Sequence, residues 1–339
     1  MFVLSVAACG GGTSSGGASQ PPASGGSDGY AGGEYNLKIG TYFSGAQGGG
    51  EYAQNFSDLV KELSDGKIVI DVYQDSQLGS QSELTEAISL GTVDFMPNDW
   101  SMFDTVLGYS KGAIFGLPYM FSSWDQVKAF YGSEMFTKMT EELLENYDIR
   151  FLGAAADGFR QIYSKQPIRS IEDFKSYKLR VPDISVYIDT FQALGAATTI
   201  VPGAELYTSL QNGIVNGLER PADGFVSNNL YEQTKYVIKT DHIFVDVSLF
   251  VSEATFQKLD ADAQAVILQA GKEASDEHFE YMRGRDQDAI NKLTTELKQE
   301  LVEFDTTEMK DICKETVWPK YLSKIDGGQE IADYIQTLK

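Results

Sequence analysis

The chain has 339 residues, 42% hydrophobic and 12% aromatic, enough apolar material for two cores and therefore for two ordinary domains or one large one. Its formal charge of −22 excludes the basic footprint that nucleic acid or an anionic lipid surface demands, and is mainly a solubility device. Only two cysteines, Cys9 and Cys313, and two histidines, His242 and His278, are present, so no metal site can be assembled at ligand spacing and no cofactor is expected.

The chain opens Met1-Phe-Val-Leu-Ser-Val-Ala-Ala-Cys9 and then turns to glycine and serine. The tetrad Val6-Ala7-Ala8-Cys9 resembles the end of a bacterial lipoprotein signal, and that resemblance implies a diacylglycerol on the Cys9 sulfur. Residues 10–33 are almost wholly small or polar and cannot bury enough surface to fold, so 1–33 reads as a signal remnant and flexible tether. The expected location is extracytoplasmic, lipid-anchored to the outer face of the cell membrane or periplasmic. Cys313 is then left without a disulfide partner and is expected to be a packed thiol.

Residues 35–42 are predicted to form a strand, followed by a glycine-rich loop at 45–50. A helix is predicted over 51–63, where Tyr52, Phe56, Leu59, Val60 and Leu63 share a face. Asp65-Gly66 turns the chain into a β-branched strand at 67–73. A helix at 82–90, stopped by Gly91, leads to a strand at 92–96. This alternation predicts an α/β fold. The phrase from Glu83 to Asp94 can be laid on the phrase from Glu205 to Asn216, with Glu, Leu, Gly and Val coinciding at an offset of 122 residues. The overlap predicts two domains of similar design, with Asp99 and Arg220 near the carboxyl ends of corresponding strands, where open α/β sheets bind ligands. Further on, 175–182 reads as a turn and strand carrying Arg180, 187–194 as a helix, and 242–252 as one strand crossing between domains. Residues 260–301 read as one helix of roughly 60 Å, able to bend at Gly271 or Gly284. Two short helices close the chain over 316–338.

Arg160, Arg180 and Arg220 stand out in so acidic a chain, because a guanidinium fork matches a carboxylate with two parallel hydrogen bonds. An ordinary structural ion pair remains the alternative for each. Asp99 could instead cap a helix, and Trp100, Phe159 and Tyr163 could stack on a ligand or pack in the core. The run Gly108-Tyr-Ser-Lys-Gly112 fits the G-x-S-x-G pattern of a serine hydrolase, but Ala113-Ile-Phe-Gly-Leu-Pro118 does not read as a helix start, so an enzyme is not expected.

Ser64-Asp-Gly-Lys67, Tyr73-Gln-Asp-Ser-Gln-Leu-Gly79, Gly91-Thr-Val-Asp94, Leu117-Pro118, Arg160, Ile171-Glu-Asp-Phe-Lys175, Leu179-Arg-Val-Pro182, Gly195-Ala196, Glu205-Leu-Tyr207 and Gly213-Ile-Val-Asn-Gly-Leu-Glu-Arg-Pro221 occur in that order. The series resembles the dicarboxylate-binding (DctP) type of solute-binding protein from tripartite ATP-independent periplasmic (TRAP) transporters. The resemblance runs from about Tyr35 to the C-terminus. It implies a two-domain, type II-like periplasmic-binding-protein fold with crossing strands and a long spanning helix. Domain I is expected at 34–157 plus 246–285, and domain II at 158–245 plus 286–339. It also implies an organic acid, a dicarboxylate or a sugar acid, held in the cleft and passed to the small and large membrane subunits of a sodium-driven permease by a monomeric receptor. Arg180 matches the carboxylate-binding arginine, Arg160 an assisting one, and Tyr42, Gln81 and Asp99 the facing wall. Arg220 departs from the family pattern, where asparagine is usual. A receptor for an ATP-driven importer or a sensor kinase, a serine hydrolase, and a tethered structural lipoprotein are the competing readings.

Overall fold

The computed structural model describes residues 30–338, so Cys9 and most of the tether lie outside the described residues. Strand β1 (Tyr35–Gly40) pairs in parallel with β2 (Ile68–Tyr73), and the helix between them, Gly48–Leu63, buries Tyr52, Ala53, Phe56 and Val60. That helix starts earlier than its hydrophobic spacing predicts. The glycine run forms its first turn because side chains would not fit there: a Cβ on Gly49 would lie 2.2 Å from the Phe43 ring, and one on Gly50 2.0 Å from the Ser44 carbonyl oxygen.

The remaining strands are β3 (Phe95–Asn98), β4 (Ile149–Gly153), β5 (Ala156–Ser164), β6 (Lys178–Val181), β7 (Ala197–Ile200), β8 (Gly217–Pro221), β9 (Tyr236–Ile238), β10 (Phe244–Asp246), β11 (Ser248–Ser252) and β12 (Glu300–Val302). They form two sheets, β2-β1-β3-β11-β4 and β12-β9-β5-β8-β6-β7, with β10 alongside β5. The predicted single strand at 242–252 is therefore two. β10 pairs with β5 in the second sheet, β11 with β3 and β4 in the first, and Val247 lies at the crossing. A register irregularity at Val245/Asp246 makes the change of sheet possible.

The long helix is continuous from Ala261 to Thr295, capped by the Asp260 side chain, and passes Gly271 and Gly284 without interruption. At 35 residues it is about 52 Å long. Its Ala263, Ile267, Ala270 and Ala274 enter the first-sheet core, and its Ala289 and Leu293 enter a second-sheet core. Gly271 lets it press on β4, since a Cβ there would lie 2.7 Å from the Leu152 Cβ. The helix stops short of 301 because Glu300–Val302 is drawn into pairing with β9.

Two short helices, Trp318–Leu322 and Gly328–Thr337, end the chain. They pack onto the 113–131 region: Trp318 Nε1 donates to the Pro118 carbonyl at 2.9 Å, and Gln126 Nε2 to the Ile335 carbonyl at 2.8 Å. Cys313 is a buried free thiol, pushed up to about 12 by burial.

Candidate functional site

The carboxyl ends of the two sheets face a cavity of about 580 Å³. All six predicted site residues line it: Tyr42, Gln81 and Asp99 from the first lobe, Arg160, Arg180 and Arg220 from the second. The first-lobe wall is fixed by a capping box, in which Ser80 and Glu83 satisfy each other's backbone and hold Gln81 as the first residue of helix Gln81–Ser89. Gln81 Nε2 donates to both Asp99 Oδ2 and Asn98 Oδ1, each at 3.1 Å. Asp99 precedes a short helix, yet its side chain makes no cap. Its Oδ1 is buried without a partner, and burial raises the carboxyl to about 6, against the Gln81 hydrogen bond and Arg160. The Tyr42 hydroxyl is held well above its ordinary value, first by burial and then by Asp99.

The three arginines differ sharply. Arg160 is committed internally: Nε and Nη2 grip the Glu219 carboxylate, and Nη2 also donates to the Glu219 carbonyl at 2.8 Å. Its guanidinium lies 4.8 Å from the Tyr187 ring centre. Burial opposes the Arg160 charge, but Glu219 outweighs it and holds the group above its ordinary value. Burial likewise works against the Glu219 charge, and Arg160 outweighs it, so the carboxyl is held down. The His242 ring, 3.3 Å from Glu219, is kept below its ordinary value by burial.

Arg180 has no carboxylate partner among the described residues. Its Nε donates to the Val201 carbonyl at 2.8 Å, which aims the rest of the fork along the cavity wall. Burial pulls it down to about 9, opposed by Glu219 and reinforced by Arg160 and Arg220. Arg220 is 9% exposed, and its Nε and Nη1 have no hydrogen-bond partner. Its fork lies over Gly224, where a Cβ would come within 2.1 Å of Nη2.

Strand register sorts these side chains. Arg180 pairs with Leu218 on parallel β6 and β8, which puts Arg180, Leu218 and Arg220 on one face. Arg160 pairs with Pro221 on antiparallel β5 and β8, which puts Arg160 and Glu219 on the other.

Sequence reasoning missed Glu219 and Asp157. Asp157 lines the cavity and is raised to about 7, first by burial and then by Asp223. Glu219 stands in the run that points to Arg220, but its partner lies 59 residues away. Of the two readings open for the aromatics, the structure shows core packing: Trp100 is fully buried among Phe103, Phe115 and Phe250, Tyr163 stacks on Phe225 at 3.6 Å, and Phe159 packs against Phe244 at 5.0 Å. Ser110 is preceded by a π-helical turn rather than a strand and opens a 3-10 turn, so it does not occupy a strand-to-helix elbow. A single helical turn does form at Ala113–Gly116, where the sequence suggested none, because Ala113, Ile114 and Phe115 are drawn into the core.

The family model described as "Bacterial extracellular solute-binding protein, family 7" matches residues 39–324. A solute-binding protein of Roseobacter denitrificans is 30% identical over 251 residues, covering 74% of this chain and 75% of that one. The C4-dicarboxylate-binding periplasmic protein DctP of Rhodobacter capsulatus is 26% identical, covering 81% of this chain and 80% of its own. Among solved structures, a TRAP periplasmic solute-binding protein from Roseobacter denitrificans with bound L-galactonate superimposes with a TM-score of 0.77 at 27% identity, over 90% of this chain and 98% of that one. Two lobes, crossing strands, a spanning helix and a match over most of the sequence agree: this chain belongs to family 7 of the bacterial extracellular solute-binding proteins, the solute-binding proteins of TRAP transporters.

Proposed function

We propose that this protein is an extracytoplasmic receptor that takes up an organic acid anion in the cavity between its lobes and hands it to a TRAP permease. The observation that carries this reading is Arg180. It is a buried guanidinium on the cavity wall, aimed by one backbone hydrogen bond and without a carboxylate partner among the described residues. A buried cation left unpaired is costly, and a solute carboxylate supplies the missing charge and acceptors together. Gln81, Asp99 and Tyr42 then face the rest of the solute and suit its hydroxyl groups. A solute that touches both lobes favours closure, since the closed state alone makes both sets of contacts.

Cys9, in Val6-Ala7-Ala8-Cys9, is the proposed lipid attachment point, and the protein is proposed to act as a monomer. Mass spectrometry of membrane-extracted protein tests the first, and light scattering the second. The receptor reading is tested by titration calorimetry with carboxylic and sugar acids. Saturable binding with the acid recovered unchanged supports it, and the absence of any acid that raises the melting temperature overturns it.

A further inference from the structure

Phe159 and Arg160 are successive residues of β5 and face opposite ways. Arg160 lines the interlobe cavity, whereas Phe159 lines a second cavity of about 540 Å³ that shares no lining residue with the first. That volume is within the range of small-molecule sites. Its walls carry the rings of Tyr119, Phe121, Phe159 and Phe304. Lys239, Lys310 and Lys314 also line it, a concentration of positive charge in a chain of formal charge −22. Asp241 is the one acidic residue of the lining, and it meets Lys239 at 3.7 Å. Lys310 and Lys314 form no ion pair among the described residues. They lie four residues apart on one helical run, where like charges repel. Nearby Asp305 is held below its ordinary value first by its hydrogen bonds with Thr307, and Lys310 contributes last. Lys310 Nζ instead lies 5.2 Å from the Tyr119 ring centre. Tyr119 and Asp241, both in the lining, adopt left-handed backbone, with φ of 59° and 43°, which a bulky residue avoids. The Tyr119 amide is held there by the His242 carbonyl at 2.7 Å, and the Asp241 amide by Gln161 Oε1 at 3.1 Å. The Tyr119 hydroxyl is buried and has no hydrogen-bond partner. Backbone strain fixed by its surroundings in this way gathers at ligand clamps.

We propose that this cavity is a second ligand site, separate from the interlobe cavity, for a small aromatic carboxylate whose ring lies against Phe121, Phe159 and Phe304 and whose charge meets Lys310 and Lys314. An anion placed between two ammonium groups offsets their mutual repulsion. The rings supply the apolar contact area, and lysines, as point charges, set the sign of the ligand rather than its exact geometry. The inference does not depend on what the interlobe cavity holds.

The test is an NMR titration of the isotope-labelled protein with benzoate, phenylacetate and 3-phenylpropanoate, each compared with its uncharged amide. The best carboxylate is expected to saturate the site with a Kd below about 1 mM, and to bind at least about tenfold more tightly than its amide. The amide signals that move are expected to be those of residues 119–122, 239–241 and 304–314. Replacing both lysines, Lys310→Glu with Lys314→Glu, is expected to weaken binding at least about tenfold, while Arg180→Lys leaves these shifts in place. No saturation by about 10 mM, an amide that binds as well as its acid, or shifts confined to the interlobe cavity overturns the proposal. Lys310 and Lys314 are both exposed, so the double variant is expected to fold. If its melting curve shows otherwise, the shift map and the comparison of acid with amide on the unaltered protein decide.

Discussion

Arg160 and Glu219 form a two-pronged ion pair across β5 and β8, with the Glu219 side chain fully buried. The pair gives one of the three cavity-lining arginines an internal counter-charge, while Arg180 and Arg220 form no ion pair among the described residues. Glu219→Gln removes the counter-charge and strands a buried guanidinium. It is expected to destabilise the protein by about 3–5 kcal/mol, read from urea unfolding. An unchanged midpoint would mean that Arg160 finds compensation elsewhere.

Arg180→Lys keeps the charge and removes the planar fork. Affinity for the cognate acid is expected to fall about 100-fold, or about 2.8 kcal/mol, while the melting temperature of the solute-free protein stays within about two degrees. The stability expectation rests on Arg180 donating only one hydrogen bond, to Val201, among the described residues. Calorimetry and a thermal melt separate the two effects, and equal affinity in the variant would refute the assignment.

Stability should fall as pH rises from about 5 to about 8. Asp286, on the long helix, is raised from 3.8 to about 8, chiefly by burial, then by Asp157 and Asp241, against backbone hydrogen bonds from Ala222 and Phe159. In that window the folded state holds a proton that the unfolded state has lost, so each step up in pH favours unfolding. Asp157 at about 7 and Asp99 at about 6 act in the same direction. Asp286→Asn is expected to flatten the curve and to melt above the unaltered protein at about pH 8. Parallel curves would show that Asp286 is ionised in the folded protein.

Asp223 ties the lobes together. It accepts from the Gly48 amide at the start of a first-lobe helix, at 3.1 Å, and from Arg285 of the long helix. Arg285 also reaches Glu51 and the Ala46 carbonyl, at 2.7 Å for the latter. Asp223→Ala is expected to shift the solute-free protein toward open forms and to weaken solute binding about tenfold through closure alone. Small-angle scattering should show a larger radius of gyration without solute, and an identical scattering curve would exclude the latch.

Much of the site was legible one-dimensionally. Arg180 sits in Leu179-Arg-Val-Pro182, a strand followed by proline, and Gln81 and Asp99 flank a helix and strand whose periods are clear; all three reach the cavity wall. Asp99, just after β3, and Arg220, near the end of β8, each follow a copy of the repeated helix–strand phrase, and both line the cavity. Elements whose apolar period is strong declare themselves, because local spacing decides which face is buried.

What local spacing could not supply is who meets whom. Nothing local to Arg160 shows that it has an internal counter-charge; β5 must lie beside β8 to bring Glu219 from 59 residues away. The glycine run reads as a loop until Phe43 and Ser44 crowd it into a helix turn, and 242–252 reads as one strand until two sheets claim its halves. The sequence by itself determined the two-lobed α/β plan and the arginine-bearing strands, since those depend on residue period and backbone preference. Only the tertiary structure decided which of the three guanidinium groups gains an internal counter-charge, because charge compensation in a buried site depends on contacts between strands far apart in the chain.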